Sequence, residues 1–194
     1  GHLWKGTPIK LETEFVIEKK LKPALATIGN TLADVVKAQV YLRDIDDIPA
    51  FNEVWTKHFR KAPPATTIIT TSNPGFICEV GRIEINTISV RHGGRTKKQV
   101  IDAGVPTAYA GHVQAIRAGD LLFLSGLMAM DASGALARQA CIDPRQPYFA
   151  SAVHLQMDYM LALAQRICRT AGTSLANVVR AQQLVPRPAG PTAG

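Results

Sequence analysis

The sequence predicts a mixed α+β fold assembled from two partial copies of one module. Three observations predict it. Residues 29–42 read GNTLADVVKAQVYL and residues 172–185 read GTSLANVVRAQQLV, identical at seven of fourteen positions and offset by 143 residues. Each copy follows an amphipathic segment that ends at its glycine, a well-placed helix stop. After each glycine comes a run rich in β-branched residues, the mark of a strand.

In chain order, Ile17, Leu21, Leu25 and Ile28 fall on one face of a first helix. Pro23 lies inside that helix and must kink it or remove a hydrogen bond. In the strand after Gly29, Val36, Ala38, Val40 and Leu42 alternate with Val35, Lys37, Gln39 and Tyr41. Asp46-Asp47-Ile48-Pro49 reads as a capped helix start with an early proline. Phe51, Val54, Trp55, His58 and Phe59 form that helix's buried face, and Pro63-Pro64 stops it. Strands are expected at 66–71 and 82–90, the second with Arg82, Glu84 and Asn86 on one face.

Residues 93–103 read as a connector between a first module (1–92) and a second (104–194). In the second, 112–117 and 121–125 read as a hairpin turning at Ala118-Gly119-Asp120. A helix follows, with Val153, Met157, Met160, Ala164 and Ile167 as its apolar stripe, and then a strand over 178–185. The repeat offset places the first module's own hairpin outside the chain, and the second module stops after one strand. The chain thus reads as the tail of one module followed by the head of another. Gly1 fits an internal or processed start, a tag remnant, or a sequence compiled around missing segments.

Composition narrows the function. Of 194 residues, 46% are hydrophobic and 19% charged, enough to bury a core, so disorder is excluded. No apolar run approaches the ~20 residues of a membrane helix, and no basic-then-apolar leader opens the chain. Cys78, Cys141 and Cys168 form no CxxC pair, so a disulfide framework and a zinc site are not expected. A cytoplasmic location follows as an expectation. Net charge is +7, spread along the chain, and its tightest cluster is Arg91, Arg95, Lys97 and Lys98. That pattern, with no aromatic stacking platform, argues against a nucleic-acid surface. The histidines show no HxH or HExxH spacing, so neither metal nor cofactor is expected.

Several segments resemble the Rid/YjgF family of reactive-intermediate deaminases, also labelled endoribonuclease L-PSP. They are AGHVQAIRAGDLLFLSG (110–126), the two GxxLAxVV segments, LRDIDDIPAFNEVWTKHF (42–59), and APPATTI followed by GRIEINTISV. The resemblance implies a β-β-α-β-α-β-β domain with two helices on one sheet face. It also implies trimer-like packing, a homo-oligomer, and a small-molecule ligand in a cleft between modules or subunits. The second module's hairpin is expected to complete the first module's sheet, within the chain or by exchange.

The implied site residues carry over one by one. Deaminating members place a Tyr where this chain has His112. They place a carboxylate-clamping Arg where it has Thr66, and a water-positioning Glu where it has Asn86. The Ser-Gly after the second strand is kept as Ser125-Gly126. Arg to Thr removes a bidentate cation, and an amide is no general base. His112 and Glu84 are the candidates to carry chemistry, with Ser125, Gly126, Thr66, Asn86 and Arg82 as binding candidates. For His112 a backbone hydrogen bond is the plainer role, and for the Glu84/Arg82 pair a cross-strand ion pair is. No His-Asp relay is spaced around Ser125. Two function classes follow: an imine or enamine hydrolase with a rebuilt pocket, and a non-catalytic protein binding a metabolite or partner. An RNA-directed nuclease carries little weight.

Overall fold

The computed structural model describes residues 8–71, 81–145, 148 and 151–184. The first helical stretch is α1 (Ile9–Val16), a π turn over Ile17–Leu21, and α2 (Lys22–Ala26). The π turn has a local cause. Pro23 has no N–H to return to the preceding turn, and the Lys22 N–H reaches back to the Ile17 carbonyl, five residues away. Ile17 and Leu25 are buried as the pattern requires, whereas Ile28 is exposed because the helix has ended by then.

Gly29 ends the stretch with φ of 72°, and the Asn30 N–H bonds the Leu25 carbonyl at 2.9 Å. The second copy repeats this: Gly172 has φ of 75°, and the Thr173 N–H bonds the Cys168 carbonyl at 2.8 Å. Both glycines sit in the left-handed region that a Cβ disfavours. The repeat continues through matching 3-10 turns at Leu32–Asp34 and Leu175–Asn177.

There the copies part. Val35–Leu42 is the strand β1. Its equivalent, 178–184, bends at Val179 and joins no ladder among the described residues, contrary to the expected strand. Val36 is buried while Val179 is 90% exposed. The reason is non-local: β1 has strands on both sides, and the second copy has none among the described residues. Val185 and the tail beyond it lie outside the described residues, as do Cys78 and His2.

Two further elements complete the first module's core. α3 (Ile48–Phe59) follows β1, and β2 (Ala65–Thr70) and β3 (Ile83–Ser89) flank β1 in the order β2-β1-β3. β2 runs parallel to β1 and β3 antiparallel to it. Ala38, Val40 and Leu42 pack against Ile17, Leu25, Phe51, Val54, Trp55 and Phe59. This is a two-layer arrangement, helices on one sheet face. The start of α3 differs in detail from the expectation. Asp44 accepts the Asp46 N–H, while Asp47 makes no cap bond. Its carboxylate instead takes the Arg82 guanidinium in a bidentate pair, at 3.1 Å from Nε and 2.5 Å from Nη2.

The second sheet is an antiparallel meander of β4 (Lys98–Ile101), β5 (Ala115–Ala118) and β6 (Leu121–Leu124). The expected hairpin is present, shorter than its pattern. The stretch read as connector carries β4, because Val100 and Ile101 pair with Ile116 and Ala115. The hairpin adds no strand to the first sheet's ladder and so does not complete it in that manner. It packs on it instead. A register irregularity at Val35/Lys37 turns Val36 to the open face, where it meets Ala65, Ile116 and Ala118. α4 (Ala152–Thr170) covers the second sheet through its C-terminal half, with Ala164, Ile167 and Cys168 buried. The N-terminal half of the expected stripe is more open, and Val153 is exposed.

Across the junction Gln39 Nε2 donates to Gln182 Oε1 at 2.6 Å. These two glutamines occupy the same position of the two repeats. No helix among the described residues is long and apolar enough to cross a membrane.

Candidate functional site

The site lies where the chain leaving β6 meets the outer edge of β2. Ser125 Oγ donates to the Val113 carbonyl at 2.6 Å and accepts the Thr66 N–H at 3.0 Å. The Gly126 N–H donates to the Thr66 carbonyl at 3.0 Å. Thr66 thus has both backbone groups bound by Ser125-Gly126, and its hydroxyl accepts from Trp55 Nε1 at 3.3 Å. A Cβ added at Gly126 would lie 3.2 Å from Thr67 Cγ2, so glycine lets the two segments approach. Three of the sequence candidates, Thr66, Ser125 and Gly126, are therefore one hydrogen-bonded unit.

This geometry assigns the Ser125 hydroxyl a joining role. Its proton and one lone pair are committed to backbone groups. Ser125→Ala should leave the Thr66 N–H and the Val113 carbonyl unpaired, at a cost of about 2 kcal/mol. Urea unfolding midpoints of the two proteins check this.

His112 stands beside the unit, just before Val113. Its Nε2 lies 2.7 Å from Asn52 Oδ1, an acceptor, so Nε2 carries the proton. Asn52 is held in turn by donating to the Ala110 carbonyl at 3.1 Å. The Tyr109 ring meets the imidazole edge-on at 5.6 Å. Burial pushes the His112 pKa down to about 4, so the ring is neutral at pH 7. The backbone-bonded role expected for it gives way to this Asn52 contact.

The β3 candidates divide. Asn86 and Glu84 sit on β3, opposite Gln39 and Tyr41 of β1. The Asn86 amide donates to Glu84 Oε1 at 3.3 Å, and Asn86 is exposed. Arg82 pairs with Asp47 at the start of α3 rather than with Glu84, so the expected ion pair is not formed. The sheet register places Asn86, Gln39 and Thr67 in one row across β3, β1 and β2.

Two residues that the sequence reading passed over are conspicuous. Lys37 reaches across the open face of β1, donating to Thr67 Oγ1 and to the Leu124 carbonyl, each at 2.7 Å. Its place in an alternating strand gave no sign that a second sheet would cover it. Glu12 is 1% exposed on α1, with no hydrogen-bond partner for either carboxylate oxygen among the described residues. Burial raises its pKa, against the opposing pull of Arg82. The penalty of its charged form thus grows as pH rises through the carboxylate range. Glu12→Gln should raise the thermal midpoint at pH 7 and leave it nearly unchanged at pH 4, as calorimetry would show.

Among the described residues, one cluster has metal-like donor spacing: Glu14, Glu18 and His58. Both carboxylates already hold lysines, Lys57 on Glu14 at 2.8 Å and Lys22 on Glu18 at 2.5 Å. The Lys57 and His58 hydrogen bonds lower the Glu14 pKa. The cluster is an ion-pair network joining α1, the π turn and α3.

The fold and this junction define an α+β protein whose two sheets meet at Thr66, Ser125 and Gly126. The endoribonuclease L-PSP family model matches residues 6–90, the stretch that holds α1 to β3. Protein mmf2 of Schizosaccharomyces pombe, a mitochondrial protein, is 34% identical over 89 residues, 46% of this chain and 69% of that protein. A RutC family protein of Saccharolobus solfataricus is 43% identical over 67 residues, 34% of this chain and 52% of its own. The goat 2-iminobutanoate/2-iminopropanoate deaminase is 33% identical over 82 residues, 39% of this chain and 58% of its own. Among solved structures, yeast Mmf1 superposes with a TM-score of 0.39 at 28% identity, over 43% of this chain and 63% of that one.

The chain belongs to the Rid/YjgF family. It spans about half the length of the curated relatives it matches.

Proposed function

We propose that this chain is a small-molecule-binding member of the family. Its junction of Thr66, Ser125 and Gly126, flanked by His112, takes a small imine, enamine or related carbonyl metabolite without a hydrolytic group of its own. The observation that carries this reading is the state of the site's chemical groups. The Ser125 hydroxyl is engaged by backbone on both sides, and the His112 ring is neutral and tied to Asn52. Imine hydrolysis needs a proton for the nitrogen and a base for the water. A ring with pKa about 4 supplies little of the first at pH 7. The carboxamide of Asn86 supplies none of the second.

The goat relative's name favours a second reading, an imine or enamine deaminase of this same site, with Glu84 as acceptor for the water proton. One experiment separates the two. Freshly generated 2-iminobutanoate is presented to the chain, and ammonia release is followed beside the thermal unfolding midpoint. A raised midpoint with ammonia at the buffer rate supports binding alone. Release above buffer, abolished by His112→Ala or Glu84→Gln, overturns it in favour of the deaminase.

The partner is a further part of the proposal. The unpaired segment 178–184, with Val179 90% exposed, is a surface for strands of a neighbouring module. A trimer-like homo-oligomer in the cytoplasm fits that need. Sedimentation equilibrium showing a monomer at every concentration would remove it.

A further inference from the structure

The tightest cluster of positive charge in the sequence falls on the segment between β3 and β4. There the structure forms a cavity of about 540 Å³, lined by Arg91, His92, Gly93, Gly94, Arg95 and Thr96. A buried side chain anchors this loop. Asn30, 6% exposed, donates through Nδ2 to Ser89 Oγ at 2.8 Å and to the Val90 carbonyl at 2.9 Å. Its Oδ1 accepts the His92 N–H at 2.9 Å. Asp34 holds the His92 ring: its carboxylate oxygens lie 3.0 and 3.1 Å from Nδ1, so Nδ1 carries the proton. The same carboxylate accepts the Thr31 N–H and hydroxyl. Gly93, with φ of 66°, shapes the turn, and the Gly94 N–H closes it on the Arg91 carbonyl at 3.0 Å. The second repeat copy has Thr173 and Asn177 in place of Asn30 and Asp34, so both anchors belong to the first copy alone.

We propose that this loop binds the phosphate group of a small organic phosphomonoester, at a site separate from the Thr66 junction. Arg91 and Arg95 are exposed, and neither guanidinium has an ion pair or hydrogen bond among the described residues. Lys97, next along the chain, is likewise exposed and unpaired among them. The N–H groups of Gly93, Arg95 and Thr96 donate to no carbonyl among the described residues. Two unpaired guanidinium forks with adjacent backbone N–H groups offer more donors than one carboxylate accepts. They match the three terminal oxygens and double charge of a phosphomonoester. Asp34, the carboxylate at this loop, is already engaged by Thr31 and His92 and so leaves both arginines unneutralised. The volume lies within the roughly 300–1,000 Å³ of small-molecule pockets and exceeds what a lone phosphate fills, so the phosphate comes with an organic remainder. No aromatic side chain lines the cavity, so it lacks the stacking surface that single-stranded RNA uses.

The test titrates four probes into the full chain, followed by calorimetry or amide NMR shifts: glycerol 3-phosphate, inorganic phosphate, dimethyl phosphate and a uridine oligonucleotide. At about pH 7.5 a phosphomonoester is mostly a dianion. Glycerol 3-phosphate should bind tightest of the four. Dimethyl phosphate, with one charge and two terminal oxygens, should bind at least roughly fivefold more weakly. R91Q and R95Q should each weaken glycerol 3-phosphate binding by roughly 3- to 10-fold, the range for partly exposed charged hydrogen bonds. Both side chains are exposed, so the variants keep the fold, and unchanged thermal midpoints check that. R145Q, whose arginine pairs with Asp143, should leave the affinity as it is. The inference is overturned by no binding of glycerol 3-phosphate, or by binding that R91Q and R95Q leave unmoved. It is equally overturned by inorganic phosphate binding as tightly as the ester, or by tighter binding of the oligonucleotide. Each of these results leaves the reading of the Thr66 junction standing, because the two sites share no residue.

Discussion

Replacing Trp55 with alanine should destabilise the protein by about 3–5 kcal/mol, the range for truncating a large buried aromatic. The side chain is 1% exposed, with ring centroids 5.5 Å from Phe51 and 4.1 Å from Phe59. It is the middle ring of a three-ring stack along α3, and its removal opens a cavity against β1. The loss would consume much of a typical total of about 5–15 kcal/mol. Trp55→Phe should cost less, about 1–2 kcal/mol, since it keeps an aromatic ring and drops the Nε1 bond to Thr66. Guanidinium unfolding of the three proteins, with equal m-values, is the measurement. A Trp55→Ala midpoint within error of the parent would show that this stack is not the centre of the core. The variant should also loosen the junction of Thr66 with Ser125-Gly126, because the Thr66 hydroxyl that Trp55 holds belongs to it.

Acid should destabilise the chain before its carboxylates titrate, and His112 is the cause. Its pKa is about 4 in the fold, below the ordinary value of 6.5. Above pH 6.5 the ring is neutral in both folded and unfolded states, and no penalty arises. Between 6.5 and 4 the unfolded chain takes up a proton that the folded chain refuses, so stability falls with falling pH. By pH 5 the loss is about 2 kcal/mol, and it levels off below pH 4 at about 3 kcal/mol. His112→Gln removes the titration and should flatten the stability curve between pH 6.5 and 5. Glu14 and Asp34, whose pKa values their hydrogen bonds depress, lose their contributions only at lower pH in both proteins. A parent curve that is flat from pH 7 to 5 would contradict the buried, neutral ring.

Much of the architecture was legible because it is local. The glycine stops, the alternating β1, the buried face of α3 and the hairpin turn each depend on residues a few positions apart. The π turn was foreshadowed by Pro23, though its form was not. For the site, Ser125-Gly126 and Thr66 were singled out by resemblance, and the structure joins them directly. Arg82 was misplaced because periodicity assigns a face and says nothing of Asp47, 35 residues earlier in the chain, whose carboxylate draws the guanidinium away. His112 was identified, but its charge state was not, since that depends on covering by other elements.

By itself the sequence determined that one fourteen-residue segment recurs at an offset of 143, where the helices before it stop, and which residues of each helix and strand are apolar. Hydrophobic period, prolines and glycines act within a turn or a strand, so they speak without knowledge of the rest. Only the tertiary structure decided that 35–42 becomes the centre of a sheet while its repeat, 178–184, pairs with no strand among the described residues. Strand pairing draws on partners far along the chain, and burial on whatever surface then covers it. The same reason makes Lys37 a half-buried ammonium bonded to Thr67 and Leu124 rather than an ordinary exposed lysine.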